Sequence, residues 1–332
     1  MSIDLSLRRE QLLKIFESRK DTGGPPGCYR WLPGSRTNLY ASLDTAIAYA
    51  VMGIDRNDID EPRRLGWIEH INSYIDDYRN DGTYKDVIPR HSPSHANGMV
   101  IGALGYLGGR QLLPVDFYKD FNTPAKAVSW LENLNWPTQW ASGFWGGPMM
   151  YSTGCKCSKQ WIDTVIGWLT DNLDPSTGMW RKGITPVNVY QPLGGFVHIY
   201  PIYELHDKPF PYTDQVIDYV LSMQSDNGRW FDGDSFSYFD MDCLYSYVAM
   251  LRISDKRADA AKMSALRYYY FLEETLAQKD VYDKMTTHGL LCLASTYGLL
   301  YQLLPEIFID SVRWTDIFSA RLLYQTSLVE AV

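Results

Sequence analysis

Two kinds of hydrophobic pattern alternate along the chain. Segments such as 5–19 and 159–173 carry apolar residues at helical spacing on one face, which is typical of a helix with one exposed side. Segments such as 38–53 and 238–251 are apolar around nearly the whole helical circumference, which indicates helices buried on every side. The alternation predicts repeated pairs of one exposed and one buried helix.

Six such pairs can be followed from the N-terminus to residue 304. The exposed helices are predicted at 5–19, 63–79, 124–134, 159–173, 213–224 and 257–278. Their buried partners are predicted at 38–53, 95–107, 141–153, 194–205, 238–251 and 289–304. A closing amphipathic helix is predicted at 315–330, and no β-pattern of matching strength accompanies the helices.

A short motif, glycine followed two positions later by an aromatic residue, recurs just after the exposed helices. It occurs as Gly27-Cys-Tyr29, Gly82-Thr-Tyr84, Gly143-Phe-Trp145, Gly178-Met-Trp180 and Gly228-Arg-Trp230. Glycine is suited to a left-handed helix stop, and the ring can cover the joint of the helical hairpin. The recurrence of this motif along the helix pairs predicts one all-α domain over residues 1–332, an (α/α)6 toroid with six inner and six outer helices. An open solenoid is the competing architecture.

Composition restricts the partners. The 332 residues are 45% hydrophobic and 21% charged, with a formal net charge of -8 and no basic run, so nucleic acid is not an expected partner. We find neither a signal-peptide pattern nor a transmembrane segment, and the 5 cysteines form no disulfide framework, which favours a cytoplasmic protein with reduced thiols. The sequence leaves the oligomeric state open.

The stretch 237–252 combines charge with an apolar, aromatic-rich helix. Asp240, Asp242 and Cys243 stand at its start, where carboxylates and a thiol are costly to desolvate. The helix start must therefore face a wet cavity or supply specific partners. Ser237 and Asp240 have capping-box spacing, so a structural role for Asp240 is a direct alternative to a catalytic one.

Other polar residues stand near the starts of the predicted buried helices. They are Tyr40, Asp44, His95, Tyr151, His198 and His288. If all inner helices start at one rim, these side chains face one cavity with Asp242. For each of them a purely structural role, a side chain satisfied by the adjacent backbone or by the core, is the alternative. Rings that would contact a substrate at this rim are Trp145, Trp180 and Trp230.

Met223-Gln-Ser-Asp-Asn-Gly-Arg-Trp230 resembles the Gln-then-Gly-x-Trp motif of squalene and oxidosqualene cyclases. Asp240-Met-Asp242-Cys243 resembles the acidic motif of the same enzymes, with Cys243 in place of a final Asp. The resemblance implies a toroid enzyme in which Asp242 is a Brønsted acid oriented by Asp240 and Cys243, with His288 as a donor behind it. The expected reaction is cyclisation or isomerisation of an apolar, unsaturated small molecule, without a cofactor.

The chain departs from that family after Cys243, where Leu244 replaces the usual Thr-Ala, and it has room for one toroid rather than two. A smaller alkene, epoxide or polyketide-terpenoid is therefore the expected substrate. A second resemblance, to protein prenyltransferase β subunits, implies instead a zinc ion bound by Asp240, Cys243 and His288. The Asp-x-Cys spacing of those enzymes is broken here, and no Lys/Arg cluster for a diphosphate accompanies it.

Two further classes remain open. Paired carboxylates and Tyr or Trp platforms also serve glycan hydrolases and lyases on the same toroid. A non-catalytic toroid that binds a peptide or lipid would need fully paired acids and a closed cavity. Acid-initiated chemistry at Asp242 is our leading interpretation.

Overall fold

The computed structural model of the chain describes residues 2–75, 82–86, 91, 93–113, 116–140, 157–232 and 237–320. These residues are predominantly helical, which confirms the all-α class. The helices are α1 Ser6–Ser18, α2 Leu39–Val51, α3 Glu61–Asn72, α4 Pro93–Leu107, α5 Pro124–Asn133, α6 Lys159–Asp171, α7 Tyr190–Ile199, α8 Pro201–Leu205, α9 Thr213–Met223, α10 Tyr238–Leu251, α11 Ala258–Leu276 and α12 Thr287–Leu303. No described helix is both long and apolar enough to cross a membrane.

The chain divides into two compact units. Among the described residues, the first unit lies within 2–113 and 272–320, and the second within 116–271. Closure of all helix pairs into one toroid, and the single domain over 1–332, stay predictions.

In the first unit, α2 is the central helix and packs against α4 and α12. Almost every residue of α2 is buried, as its apolar pattern predicts. Asn38 caps the helix by accepting a hydrogen bond from the Ala41 amide at 2.8 Å. A two-residue parallel pairing of β1 Ile3–Asp4 with β2 Phe308–Ile309, which the sequence patterns do not predict, joins the N-terminal strand to the segment after α12.

In the second unit, α10 packs between α7 and α9, and α5 packs on α6. Helix α10 begins and ends where the sequence predicts, and its residues from Phe239 to Met250 are all buried. The apolar circumference therefore marks a core helix in this unit as well.

The glycine–aromatic motif acts as a helix stop. Gly27, Gly82, Gly178 and Gly228 all have positive φ, between 71° and 92°, which confirms the left-handed conformation expected of them. The ring that follows closes the preceding helix. Trp230 donates its Nε1–H to the Val220 carbonyl in the last turn of α9 at 3.0 Å. The fifth occurrence, at Gly143, lies outside the described residues.

Two helix predictions need correction. The predicted helix 194–205 begins earlier, at Tyr190, and is divided at Tyr200 before Pro201. The predicted helix 63–79 ends at Asn72. Of the predicted closing helix, 315–330, only 315–320 lie within the described residues, where Asp316 Oδ1 accepts the amides of Phe318 and Ser319, both at 2.9 Å. The buried helix predicted at 141–153 lies outside the described residues.

Candidate functional site

Asp240 holds the start of α10. Its carboxylate and the Ser237 hydroxyl form a reciprocal capping box, with Oδ2 accepting the Ser237 amide at 2.9 Å. The other oxygen, Oδ1, accepts the amides of Trp230 at 3.0 Å and Phe231 at 3.2 Å. Burial raises the pKa of Asp240, while these backbone hydrogen bonds lower it in part. Both oxygens are occupied, so Asp240 serves as a structural anchor of the helix.

Asp242 lies two residues further along the same helix in a different environment. Its side chain is buried, with 3% of the residue exposed. Within the described part of the chain its carboxyl group has no hydrogen-bond partner, and burial, followed by the charge of Asp240, raises its pKa well above the usual range. Burial therefore favours the protonated form of Asp242, which is the form that a proton donor requires.

Cys243 follows directly and is fully buried. Burial first, and then the neighbouring carboxyl groups of Asp240 and Asp242, raise the pKa of its thiol well above the usual range. The side chain is therefore an uncharged thiol. In the zinc set that the prenyltransferase resemblance implies, Asp240 would need a free carboxylate oxygen. Both of its oxygens already accept amide hydrogens.

A group of aromatic rings lies near the start of α10. Phe239 contacts Trp140 at 5.5 Å and Tyr190 at 4.9 Å between ring centroids. Phe231 contacts Tyr190 at 4.9 Å and Trp140 at 6.2 Å. Trp140, Tyr190 and Phe231 are half-buried, whereas Phe239 is buried. We call these four residues the aromatic rim group; its ring faces are the kind of surface that attracts a cation.

The two described tryptophans predicted to contact substrate are core residues. Trp230 is 3% exposed and packs on Tyr268 at 5.1 Å. Trp180 is 2% exposed and donates its Nε1–H to the Leu169 carbonyl at 2.8 Å. Their rings close helix ends instead of forming open platforms. Trp145 and Tyr151 lie outside the described residues.

His198 does not stand at a helix start. Because α7 begins at Tyr190, His198 falls in its last turn, where Nδ1 bonds the Gly194 carbonyl at 2.5 Å. Burial lowers the pKa of this imidazole to about 4, so it is neutral at physiological pH. This placement accords with a core histidine that is satisfied by its own helix.

The first unit brings together four of the predicted site residues at the starts of α2, α4 and α12. Asp44 Oδ1 lies 2.7 Å from His288 Nδ1, and the Tyr40 hydroxyl lies 3.0 Å from His95 Nδ1. Burial raises the pKa of Tyr40 above its usual range, so its phenol keeps its proton.

Sequence reasoning missed three members of this cluster. The Thr287 hydroxyl donates to Asp44 Oδ2 at 2.9 Å. His91 lies against His95, with ring centroids 3.9 Å apart, and Trp31 stacks on His288 at 6.1 Å. His91 precedes α4 in a segment without periodicity, so its residue type is the only sequence signal that could have identified it. The cluster around Asp44 combines one carboxylate, two hydroxyl groups and three imidazoles.

Comparisons with known proteins identify structural similarities only. No protein family matches the sequence, and no curated protein is similar to it. Among solved structures, a variant of the type II terpene cyclase MstE from Scytonema, in complex with its substrate geranylgeranyl dihydroxybenzoate, is 12% identical with a TM-score of 0.45, covering 84% of this chain and 80% of that chain. A protein from Actinoplanes is 10% identical with a TM-score of 0.43, covering 97% of both chains.

Proposed function

We propose that the protein is an enzyme in which Asp242 acts as a Brønsted acid on an apolar, unsaturated small molecule, initiating a terpenoid cyclase-like cyclisation or isomerisation. The observation that carries the proposal is a carboxyl group that is buried in an apolar helix and whose pKa is raised by that burial. A carboxyl group with a raised pKa keeps its proton over a wider pH range than one in water, and can therefore serve as a general acid.

The chemistry follows from the state of this group. The π-electron pair of a substrate alkene forms a new C–H bond with the Asp242 proton, which leaves a carboxylate on the enzyme and a carbocation on the substrate. A second alkene can attack that cation and close a ring. Loss of a proton from a neighbouring carbon to water ends the reaction, and the Asp242 carboxylate regains a proton from the solvent. An epoxide would accept the same proton on oxygen, with cleavage of a C–O bond.

The surroundings of α10 suit a cationic intermediate. The half-buried rings of the aromatic rim group offer π-faces that attract positive charge. Cys243, as an uncharged thiol, adds no competing anion beside the acid. Asp240, through its hydrogen bonds to Trp230 and Phe231, fixes the turn from which Asp242 projects.

The glycan alternative has weaker support. A glycosidase needs two carboxyl groups that both act on the substrate, one on each side of the scissile bond. Asp240 uses both oxygens in hydrogen bonds to its own turn, and Trp180 and Trp230 are buried in the core. The occupied oxygens of Asp240 also weaken the support for the zinc alternative.

Deuterium incorporation tests the acid role. The protein is incubated in deuterium oxide with geraniol, farnesol, geranylgeraniol and their terminal epoxides, and the products are analysed by mass spectrometry. Products from the wild type are expected to carry one enzyme-derived deuterium per initiation on an alkene. Asp242→Asn should reduce turnover by about 10²–10⁴-fold, the usual contribution of a general acid.

The control is Asp226→Asn, which removes an exposed carboxylate in the turn after α9. This variant should retain wild-type turnover. Full activity in Asp242→Asn would reject the acid role. Release of reducing sugar from oligosaccharides by the wild type, lost in Asp242→Asn, would instead support the glycan alternative.

A further inference from the structure

Three histidines in the first unit lie close enough to share a ligand. One ring nitrogen from each of His91, His95 and His288 lies within 4.8 Å of the other two. His91 precedes α4, His95 lies in its first turns, and His288 lies in the first turn of α12. Half of the histidines of the chain are therefore gathered at one point, although they are far apart in sequence.

A buried carboxylate orients the ring of His288. Asp44 is fully buried, and its Oδ1 lies 2.7 Å from His288 Nδ1 while its Oδ2 accepts the Thr287 hydroxyl at 2.9 Å. A His that donates its Nδ1–H to a carboxylate keeps the Nε2 lone pair available and becomes a more basic ligand. This carboxylate–histidine pairing is the usual outer support of a metal-bound imidazole.

The phenol of Tyr40 supports the ring of His95. The Tyr40 hydroxyl lies 3.0 Å from His95 Nδ1 and the two rings stack at 5.9 Å. In the tautomer whose Nδ1–H donates to the phenol oxygen, His95 Nε2 carries the lone pair. Trp31 stacks on His288 with an interplanar angle of 21° and limits its rotation. Two of the three imidazoles are thus held by neighbouring side chains in fixed orientations.

We propose that His91, His95 and His288 bind one divalent transition-metal ion of the zinc type. Neutral imidazoles suit Zn²⁺, Co²⁺ and Ni²⁺, whereas Mg²⁺ and Ca²⁺ select oxygen ligands. A tetrahedral ion with Zn–N bonds of about 2.0–2.1 Å needs nitrogens about 3.4 Å apart. The three nitrogens lie within 4.8 Å of one another, so metal binding requires side-chain rotations that bring them closer together.

Three protein ligands leave a fourth position for water or for an oxygen atom of a bound molecule, which is the pattern of reactive rather than structural zinc sites. This site is distinct from the zinc set that the sequence suggested, because it uses neither Asp240 nor Cys243. All of its residues belong to the first unit, whereas Asp242 belongs to the second.

Metal binding is measured directly. The full chain, purified without a histidine tag and stripped with a chelator, is titrated with Zn²⁺, and bound metal is determined by elemental analysis. One equivalent per chain is expected. His91→Gln, His95→Gln and His288→Gln should each weaken Zn²⁺ binding at least 100-fold, and Asp44→Asn should weaken it about 10–100-fold, because it removes only the outer support.

His206→Gln is the matched control, because His206 is a half-buried histidine outside this cluster, and it should bind Zn²⁺ like the wild type. Far-ultraviolet circular dichroism checks that each variant is folded. Titration of the wild type with Co²⁺ adds a readout that needs no variant, since a tetrahedral nitrogen site gives intense visible absorption. Absence of a stoichiometric Zn²⁺ site, unchanged binding in folded His91→Gln and His95→Gln, or a weak octahedral Co²⁺ spectrum would each overturn the proposal.

Discussion

Removal of the Asp242 carboxyl group should change the way in which stability depends on pH. In the unfolded chain this side chain ionises near pH 3.9, whereas burial keeps it protonated to a much higher pH in the folded protein. Between these two pKa values the unfolded state has released a proton that the folded state retains. The free energy of unfolding therefore falls as pH rises through this window.

The slope of this fall is fixed by linkage. With one proton fewer on the unfolded chain, the free energy of unfolding decreases by about 1.4 kcal/mol per pH unit from near pH 4 up to the folded pKa, and stays level above it. Asp242→Asn has no proton to release and lacks this contribution. The variant should gain stability relative to the wild type with rising pH, although the same substitution is expected to reduce turnover.

Urea unfolding followed by circular dichroism, at half-unit steps from pH 4 to pH 8, measures the difference between the two proteins. Parallel stability curves for the wild type and Asp242→Asn would show that Asp242 ionises normally in the folded state. That result would remove the physical basis of the proposed proton donor.

Two further predictions concern the fold. Gly298→Ala should destabilise the protein by about 3 kcal/mol or more, since the new Cβ would lie 1.5 Å from the Thr315 carbonyl oxygen. Gly167→Ala, in α6 with no atom within 4 Å of the new Cβ, should instead stabilise the protein by about 0.5–1 kcal/mol. Similar urea midpoints for the two variants would contradict the packing described here. Trp230→Phe should cost about 1–3 kcal/mol by leaving the buried Val220 carbonyl without its donor; an unchanged thermal midpoint would show that this helix end is satisfied in another way.

Local signals predict some helix limits well and fail where packing between distant segments sets the limit. The limits of α10 follow from the Ser237 cap and the continuous apolar run. The hydrophobic pattern predicts a helix that starts at Gly194, whereas α7 starts at Tyr190. In the structure Gly194 and Gly195 lie inside the helix, where a Cβ would meet the side chains of Trp140 at 2.1 Å and Gln139 at 2.2 Å. Their role depends on neighbours that are distant in sequence.

The same distinction applies to the site residues. The polar residues at the starts of buried helices, such as Asp44 and His288, are recognisable because they interrupt an apolar pattern. Their pairing, and the participation of Thr287, depends on α2 and α12 lying side by side across more than two hundred residues of sequence. Such contacts cannot be inferred from spacing along the chain.

Asp240 and Asp242 show why motif and role must be separated. The sequence places two similar acids in the first turns of one helix, and either could be the cap or the proton donor. Successive helical residues are about 100° apart, so the two carboxyl groups point to different sides of α10. One side offers the amides of Trp230, Phe231 and Ser237, which favour an anion. The other side offers burial without such donors among the described residues, which favours the protonated acid. The two acids therefore have different surroundings, and the hydrogen bonds of Asp240 hold the turn that carries Asp242.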